Sequence, residues 1–363
     1  MFIFKLLILL KRCLLLLPCW NFFAVFYIIV FIIYGRKKMK KLSKVLFCCT
    51  ALFILITGCS KKEEPLMQNT AEVSWSENFD GNEIKFSVKA SPSRAVSMSM
   101  ATTEMMLALG LEERMAGTAF LEEELLPGLK NAYDQVEVLA EKWPSYEIFM
   151  SKSPDFVTGW PVPFTKRGIE YSNIVKNNIP IFIPNSMKEI NADLETNFND
   201  LLKFGEIFDC RERAENFVKT QKEKLSAIQT KLEKLPNKTV FIFDSEDGKP
   251  FTVFEGYTAN ILKLIGCENI LSGKGVEKTW GQADWEEIVA GNPEVIIIVD
   301  YGVSIRNDDD FKGKVEKLKA NPVLKDVSAV KNGKFIRVKL SEITPGVRTV
   351  DALERIASEI HGL

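Results

Sequence analysis

From about residue 93 onward, short apolar runs alternate with stretches of helical spacing. The runs are Ala95–Met98, Val136–Leu139, Phe156–Gly159 and Ile181–Ile183, with helical patterns over Thr103–Leu109 and Tyr146–Lys152 between them. A second series opens at Thr239–Phe243, continues through Val295–Val299 and Lys334–Val338, and closes with a helix over Val350–His361. Such alternation predicts an α/β protein with largely parallel sheets. Residues 191–235 differ. Their only glycine is Gly205, no proline occurs before Pro236, and Phe208, Ala214, Phe217, Val218, Leu225, Ile228 and Leu232 keep helical spacing. This pattern predicts one long helix or two abutting ones, ending at Pro236-Asn237. A helix over 209–234 would run roughly 39 Å at 1.5 Å per residue. The expected architecture is therefore two Rossmann-like α/β lobes, 91–205 and 237–363. A single long backbone helix, 206–236, joins them, and a ligand cleft lies between.

An internal echo supports two related halves. Tyr146-Glu147-Ile148-Phe149-Met150-Ser151-Lys152-Ser153-Pro154-Asp155-Phe156-Val157 matches Trp285-Glu286-Glu287-Ile288-Val289-Ala290-Gly291-Asn292-Pro293-Glu294-Val295-Ile296 in pattern, ungapped. Each copy runs aromatic, acid, apolar helical turn, proline, acid and buried strand, once per half.

Charge separates the N-terminus from the rest. Residues 1–58 hold nine basic side chains and no acid, leaving 38 basic and 48 acidic residues in 59–363. A body that acidic argues against nucleic-acid binding, which needs cationic patches. Lys40, Lys41 and Lys44 precede an apolar stretch, Val45–Ile56, of the length of an export signal. It ends Ile56-Thr57-Gly58-Cys59, which resembles the bacterial lipoprotein cleavage box, with Ile56 where leucine is usual. The resemblance implies lipidation at Cys59; the alternative is an uncleaved anchor, and both export the body. A second apolar run, Cys13–Tyr34, is redundant with that signal, so Met39 is the expected initiator. Residues 59–90 are expected to form a lipidated tether, polar and rich in Lys and Glu over 60–75.

Several stretches resemble the substrate-binding proteins of iron-siderophore and cobalamin ABC importers. They are Pro92–Gly110, Ser153–Val157, Gly266-Cys267-Glu268-Asn269-Ile270, Trp285–Ile288 with Asn292–Val295, and Ala329–Lys334, in family order across about 90–363. The resemblance implies the two-lobed fold with one bridging helix. It also implies that Glu147 and Glu286 dock on arginines of a membrane permease, although each acid would equally complement its own helix N-terminus. Ligand contacts are expected on loops that follow strands: Trp143, Trp160, Arg167, Phe254, Glu255, Tyr257, Trp280, Tyr301, Arg306 and Arg348. Tryptophans offer flat apolar contact, and arginines pair with ligand carboxylates or catecholates. Each tryptophan fits an ordinary core equally well, and Arg306 beside Asn307-Asp308-Asp309-Asp310 fits a surface ion pair.

The single histidine, His361, argues against a His-clustered metal site, and no Gly-x-Ser-x-Gly turn, phosphate loop or Gly-x-Gly-x-x-Gly occurs. The acid runs Glu122-Glu123-Glu124 and Asp309-Asp310 are expected to be solvated surface. The expected function is a monomeric, lipid-anchored solute-binding protein in the cell envelope. It captures a ferric siderophore and delivers it to an ABC permease driven by a partner ATPase. No resident cofactor or protein-bound metal is expected, since iron arrives inside its chelate. The alternatives are cobalamin or a related tetrapyrrole and, more distantly, an exported carboxylate-dependent hydrolase.

Overall fold

A computed structural model describes residues 72–301 and 310–363. The export signal, Met39, Cys59 and Arg306 lie outside the described residues. No helix among the described residues is long and apolar enough to cross a membrane.

The first described element corrects the tether expected over 59–90. Strand β1 (Val73–Phe79) and strand β2 (Asn82–Val88) form an antiparallel hairpin. Asp80-Gly81 makes its turn with φ 53° and 82°, the left-handed geometry that Asp-Gly hairpins adopt. Inward-facing Val73, Trp75 and Phe79 alternate with polar residues, and the Trp75 indole N–H donates to Ile181 O at 2.7 Å. Buried Glu77 breaks the apolar alternation. It accepts from Ile183 N at 2.9 Å and pairs with Lys188. The hairpin is thus fastened to the first lobe.

That lobe holds β3 (Ala95–Ser97), helix α1 (Met100–Ala108), β4 (Met115–Ala119), β5 (Val138–Ala140), helix α2 (Tyr146–Ser151), β6 (Phe156–Thr158) and β7 (Ile181–Phe182). The strands form a parallel sheet in the order β5-β4-β3-β6-β7. The segment 191–235 is two helices, α3 (Leu194–Ile207) and α4 (Arg211–Leu232), broken where Asp209 turns left-handed at φ 51°. Gly205 lets them meet, because a Cβ there would stand 2.6 Å from the Ala214 Cβ. The connecting strut is α4 alone. At 22 residues it is about 33 Å long. Its first turns reach the first lobe, where Arg213 Nη1 donates to Gly110 O. Its last turns reach the second, through Lys224–Asp351 and Lys231–Glu354.

The second lobe holds β8 (Lys238–Phe243), β9 (Ser245–Asp247), β10 (Lys249–Val253), helix α5 (Tyr257–Lys263), β11 (Cys267–Asn269), β12 (Trp280–Gln282), helix α6 (Trp285–Gly291) and β13 (Val295–Val299). After them come helix α7 (Asp310–Ala320), β14 (Phe335–Val338), helix α8 (Leu340–Ile343) and helix α9 (Thr349–His361). Its parallel sheet runs β11-β8-β13-β14, beside a small antiparallel sheet β12-β10-β9. Every residue of β13 is buried, as expected of a strand covered on both faces. One continuous apolar cluster joins both lobes to α3, α4 and α9, and a separate cluster lies on the far face of each sheet.

The internal echo has a structural counterpart. The segments α2–β6 and α6–β13 end alike, in left-handed Ser153 (φ 47°) and Asn292 (φ 38°) before the proline. The acid after each proline holds the neighbouring strand. Asp155 accepts from Ser93 N and Arg94 N, and Glu294 accepts from Thr239 N. The strands β6 and β13 each lie directly beside the first strand of their lobe's sheet.

Candidate functional site

In open parallel sheets ligands bind outside the carboxyl ends of the strands. Those ends carry Met98 after β3, Phe120–Glu124 after β4, Trp143 after β5, Trp160 after β6, Asp244 after β8, Tyr301 after β13, and Lys339 and Ser341 after β14. Salt bridges and hydrogen bonds join residues of the two sets across the lobe boundary, so both sets of ends border one site.

The aromatic residues predicted there fall into two groups. Trp143 and Trp160 are half-buried on the loops after β5 and β6. The Trp143 indole N–H donates to Met98 O at 3.1 Å, and its ring lies 5.1 Å from that of Phe120. Tyr301 is half-buried, and its hydroxyl donates to Asp244 Oδ1 at 2.6 Å. Burial, then the Asp244 charge, pushes its phenol well above the ordinary tyrosine range. Trp280 is also half-buried, but it stacks on Phe251 in the small antiparallel sheet. Tyr257 and Phe254 are core residues. Tyr257 is 4% exposed and shares a hydrogen bond with Thr349 Oγ1, because it starts the buried face of α5. That burial corrects the expectation of a cleft tyrosine. Glu255 accepts from Gly273 N at 2.6 Å, which ties a loop, and Arg167 is exposed on the first lobe.

Arg348 was expected to greet an anionic ligand; here it joins the lobes instead. It precedes α9 in the second lobe, and its Nε donates to Glu104 Oε2 of α1 at 2.7 Å. Its Nη2 reaches Glu104 Oε1 and donates to Glu124 O at 2.8 Å. The Arg348 and Glu104 side chains are 7% and 3% exposed, so this fork is a buried ion pair rather than a free recognition site.

Of the acid run 122–124, expected to be solvated, only Glu124 is exposed; Glu122 is half-buried and Glu123 buried. Glu123 is buried, with Ser341 Oγ donating to its Oε2 and Ser341 N donating to its Oε1 at 3.2 Å. Glu122 lies beside the Met100 backbone and the Trp160 indole of the first lobe. Burial, then the Glu123 charge, pushes the Glu122 carboxyl up to about 7. Asp310 is likewise buried, paired with Lys314. The signal that would have exposed this acid run is its place at a strand end. That place was hidden because β4, Met-Ala-Gly-Thr-Ala, has no apolar run. Its Gly117 makes room for Leu139.

A raised carboxyl stabilises the fold while protonated in the native state. Its contribution is complete below the unfolded value and is lost as pH rises through the folded one. Glu122 should therefore make the melting temperature fall between about pH 4.5 and 7. Glu122→Gln should flatten that slope, as thermal melts across the window would reveal. An unchanged slope would refute the burial argument.

The arrangement offers aromatic surfaces and hydrogen-bonding groups. Among the described residues no group of three or more His, Cys, Asp or Glu side chains is placed to hold a metal ion. Fold and site define a two-lobed binding protein, with α/β lobes joined by a backbone helix. Residues 96–340 match the family model described as periplasmic binding protein. A solved periplasmic binding protein from Veillonella parvula dsm 2008 is 62% identical, covering 81% of this chain and 99% of that one, with a TM-score of 0.79. A solved structure titled an ABC-type Fe3+-hydroxamate transport system, from Saccharomonospora viridis DSM 43017, is 18% identical. It covers 79% of this chain and 98% of its own, with a TM-score of 0.63. The uncharacterized ABC transporter substrate-binding lipoprotein YvrC of Bacillus subtilis (strain 168) is 24% identical over 335 residues, 89% of this chain and 98% of its own. The chain belongs to the periplasmic binding protein family, as a substrate-binding protein of the ABC-importer class in the cell envelope.

Proposed function

We propose that this protein is lipid-anchored through Cys59 and captures a ferric siderophore of hydroxamate type, delivering it to a membrane permease driven by an ATPase. It acts as a monomer with no resident cofactor. Iron is cargo held by its chelate and needs no protein ligand. The observation that carries the ligand class is the charge around the strand ends. Glu123 and Asp244 gather there beside the aromatic faces of Trp143, Trp160 and Tyr301, while Arg348 is held by Glu104 and lies 4.0 Å from Glu123. Two like charges about 8 Å apart at an effective dielectric of ~20 repel by roughly 2 kcal/mol. An anionic tricatecholate or citrate complex meets that penalty more than once, and an uncharged or cationic trihydroxamate complex does not. The solved relative titled for Fe3+-hydroxamate transport accords with this reading. The aromatic faces favour one second reading, a corrinoid, which is flat-sided and also lacks net negative charge.

Trp143 and Trp160 make the test direct. Their fluorescence should be quenched by ferrioxamine B at least about ten-fold more tightly than by ferric citrate or a ferric tricatecholate, a gap of about 1.4 kcal/mol. Quenching by cyanocobalamin in place of ferrioxamine B would select the corrinoid. Tightest binding of an anionic complex would overturn the charge argument, and quenching by none of these would overturn the ligand class.

A further inference from the structure

The second sheet runs β11-β8-β13-β14, so the chain order reverses between β8 and β13, the kind of switch point at which open parallel sheets bind ligands. The two carboxyl ends there carry Asp244 and Tyr301, joined by the hydrogen bond from the Tyr301 hydroxyl at 2.6 Å. Ser245 Oγ donates to the other carboxylate oxygen of Asp244 at 2.7 Å. Against the tyrosine lies helix α7, whose buried residues are Asp310, Lys314 and Leu318. Two of these three are charged, on a helix stripe that usually carries apolar side chains. Lys314 Nζ donates to Val299 O at 2.6 Å, pairs with Asp310 at 2.7 Å and lies 4.9 Å from the centre of the Tyr301 ring. Two oxygens and a ring face suffice for the three donors of an ammonium group. Asp310 in turn accepts from Tyr301 N at 3.2 Å. The tyrosine is thus held at its backbone, its hydroxyl and its ring, and it stays half-buried rather than closed over.

A buried ion pair adds little stability over apolar residues of similar volume. What the Asp310–Lys314 pair does here is fix an aromatic side chain at the switch point. We propose that Lys314 is a positioning residue for ligand binding: with Asp310 and Asp244 it holds Tyr301 in one orientation, so that the ring meets the ligand already ordered. Its role rests on the ligand site proposed at the strand ends, and its effect on affinity runs wholly through Tyr301. Ordering one side chain on binding costs a factor of about two to ten in affinity, which a tyrosine fixed beforehand avoids. The ammonium is attracted to the π-face it covers, and this attraction favours the held orientation over other rotamers of the ring.

The test compares one change in two backgrounds, with affinity read by tryptophan quenching with ferrioxamine B and with cyanocobalamin. Lys314→Met keeps the apolar stem and removes the ammonium, and it should weaken binding about two- to ten-fold. In a Tyr301→Ala background the same change should add nothing, because no ring is left to hold. An equal loss in both backgrounds assigns Lys314 to general packing and overturns the proposal, as does no loss in the wild-type background. Should Lys314→Met fail to fold because the buried Asp310 has lost that ammonium, Lys314→Met/Asp310→Asn takes its place, with the same outcomes expected. A readout without ligand is the ring-carbon NMR signal of Tyr301 in protein labelled with 13C-tyrosine, assigned by its loss in Tyr301→Phe. In the wild type it should stand away from the position of free tyrosine, and in Lys314→Met it should move toward that position. A signal that stays put overturns the proposal. If neither probe quenches tryptophan, the ligand reading fails, and the NMR signal still decides whether Lys314 positions Tyr301.

Discussion

Replacing Arg348 by alanine should cost the folded protein about 3–5 kcal/mol, the range for breaking a buried ion pair by removing one partner. The reason is the residue left behind. Glu104 is 3% exposed, and after the change its charge keeps only the Leu126 N–H as a donor from this node. The penalty is thus mostly an unpaired buried carboxylate rather than the worth of the original fork. A control separates the two. Replacing Arg348 and Glu104 together by methionine removes both charges and keeps apolar volume, so it should recover most of the loss. Denaturant unfolding of the wild type and the three variants, Arg348→Ala, Glu104→Met and the double replacement, would measure this. A loss under about 1 kcal/mol for Arg348→Ala would place the pair in the class of surface salt bridges and refute the burial argument. Because the pair spans the lobes, its rupture should also loosen their packing and raise amide exchange along α1 and α9.

The importance of this node could not be read from the chain. Glu104 and Arg348 lie 244 positions apart, and nothing local marks either as a partner. What the chain displays well is whatever a buried parallel strand imposes. Val295–Val299 is a plain apolar run because both of its faces are covered, and Thr239–Phe243 reads equally clearly. The helix over Val350–His361 is equally legible, since its buried residues recur with helical spacing. Legibility fails where packing uses small or polar groups. Strand β4 is hidden because Gly117 and Ala119 fill a tight sheet without an apolar signature. The hairpin at Val73–Val88 is obscured by Glu77, an inward acid whose partner Lys188 is 111 residues away. At the site, Trp143, Trp160 and Tyr301 stood out by type and by their place after strands. Glu122 and Glu123 resembled a solvated acid run, because only tertiary structure places Trp160 and Ser341 against them. Tyr257 misled for the converse reason: a tyrosine near a strand end is also a good core residue when Thr349 satisfies its hydroxyl.

Reversing the charge at Glu147 and Glu286 together should abolish ligand uptake by cells and leave ligand affinity unchanged. Both acids are exposed in the first turn of short helices, α2 and α6, which precede equivalent strands of the two lobes. The rival role for each is to complement its own helix N-terminus. In α6 that work is done by neighbours, for Asp284 and Glu287 form a reciprocal capping box, and Lys249 pairs with Asp284. Glu286 is left facing solvent. In α2 the cap is Ser145, which accepts from Ile148 N at 3.3 Å. Glu147 is held below the usual carboxylate range by a hydrogen bond with its own backbone N–H and then by Ser145. It therefore stays ionised at any pH where a cationic partner would meet it. Two fixed anions on separate lobes, spaced by a helix that resists bending, suit a partner that offers two cations at a matching separation. A pure capping role makes a different forecast. The Glu147→Arg/Glu286→Arg protein would melt somewhat earlier and still support uptake. Docking predicts a normal melt, normal tryptophan quenching by ferrioxamine B and loss of uptake. Each single reversal should weaken uptake less than the pair, since one contact remains. Uptake that survives the double reversal would assign both acids to their helices and leave the docking surface elsewhere on the lobes.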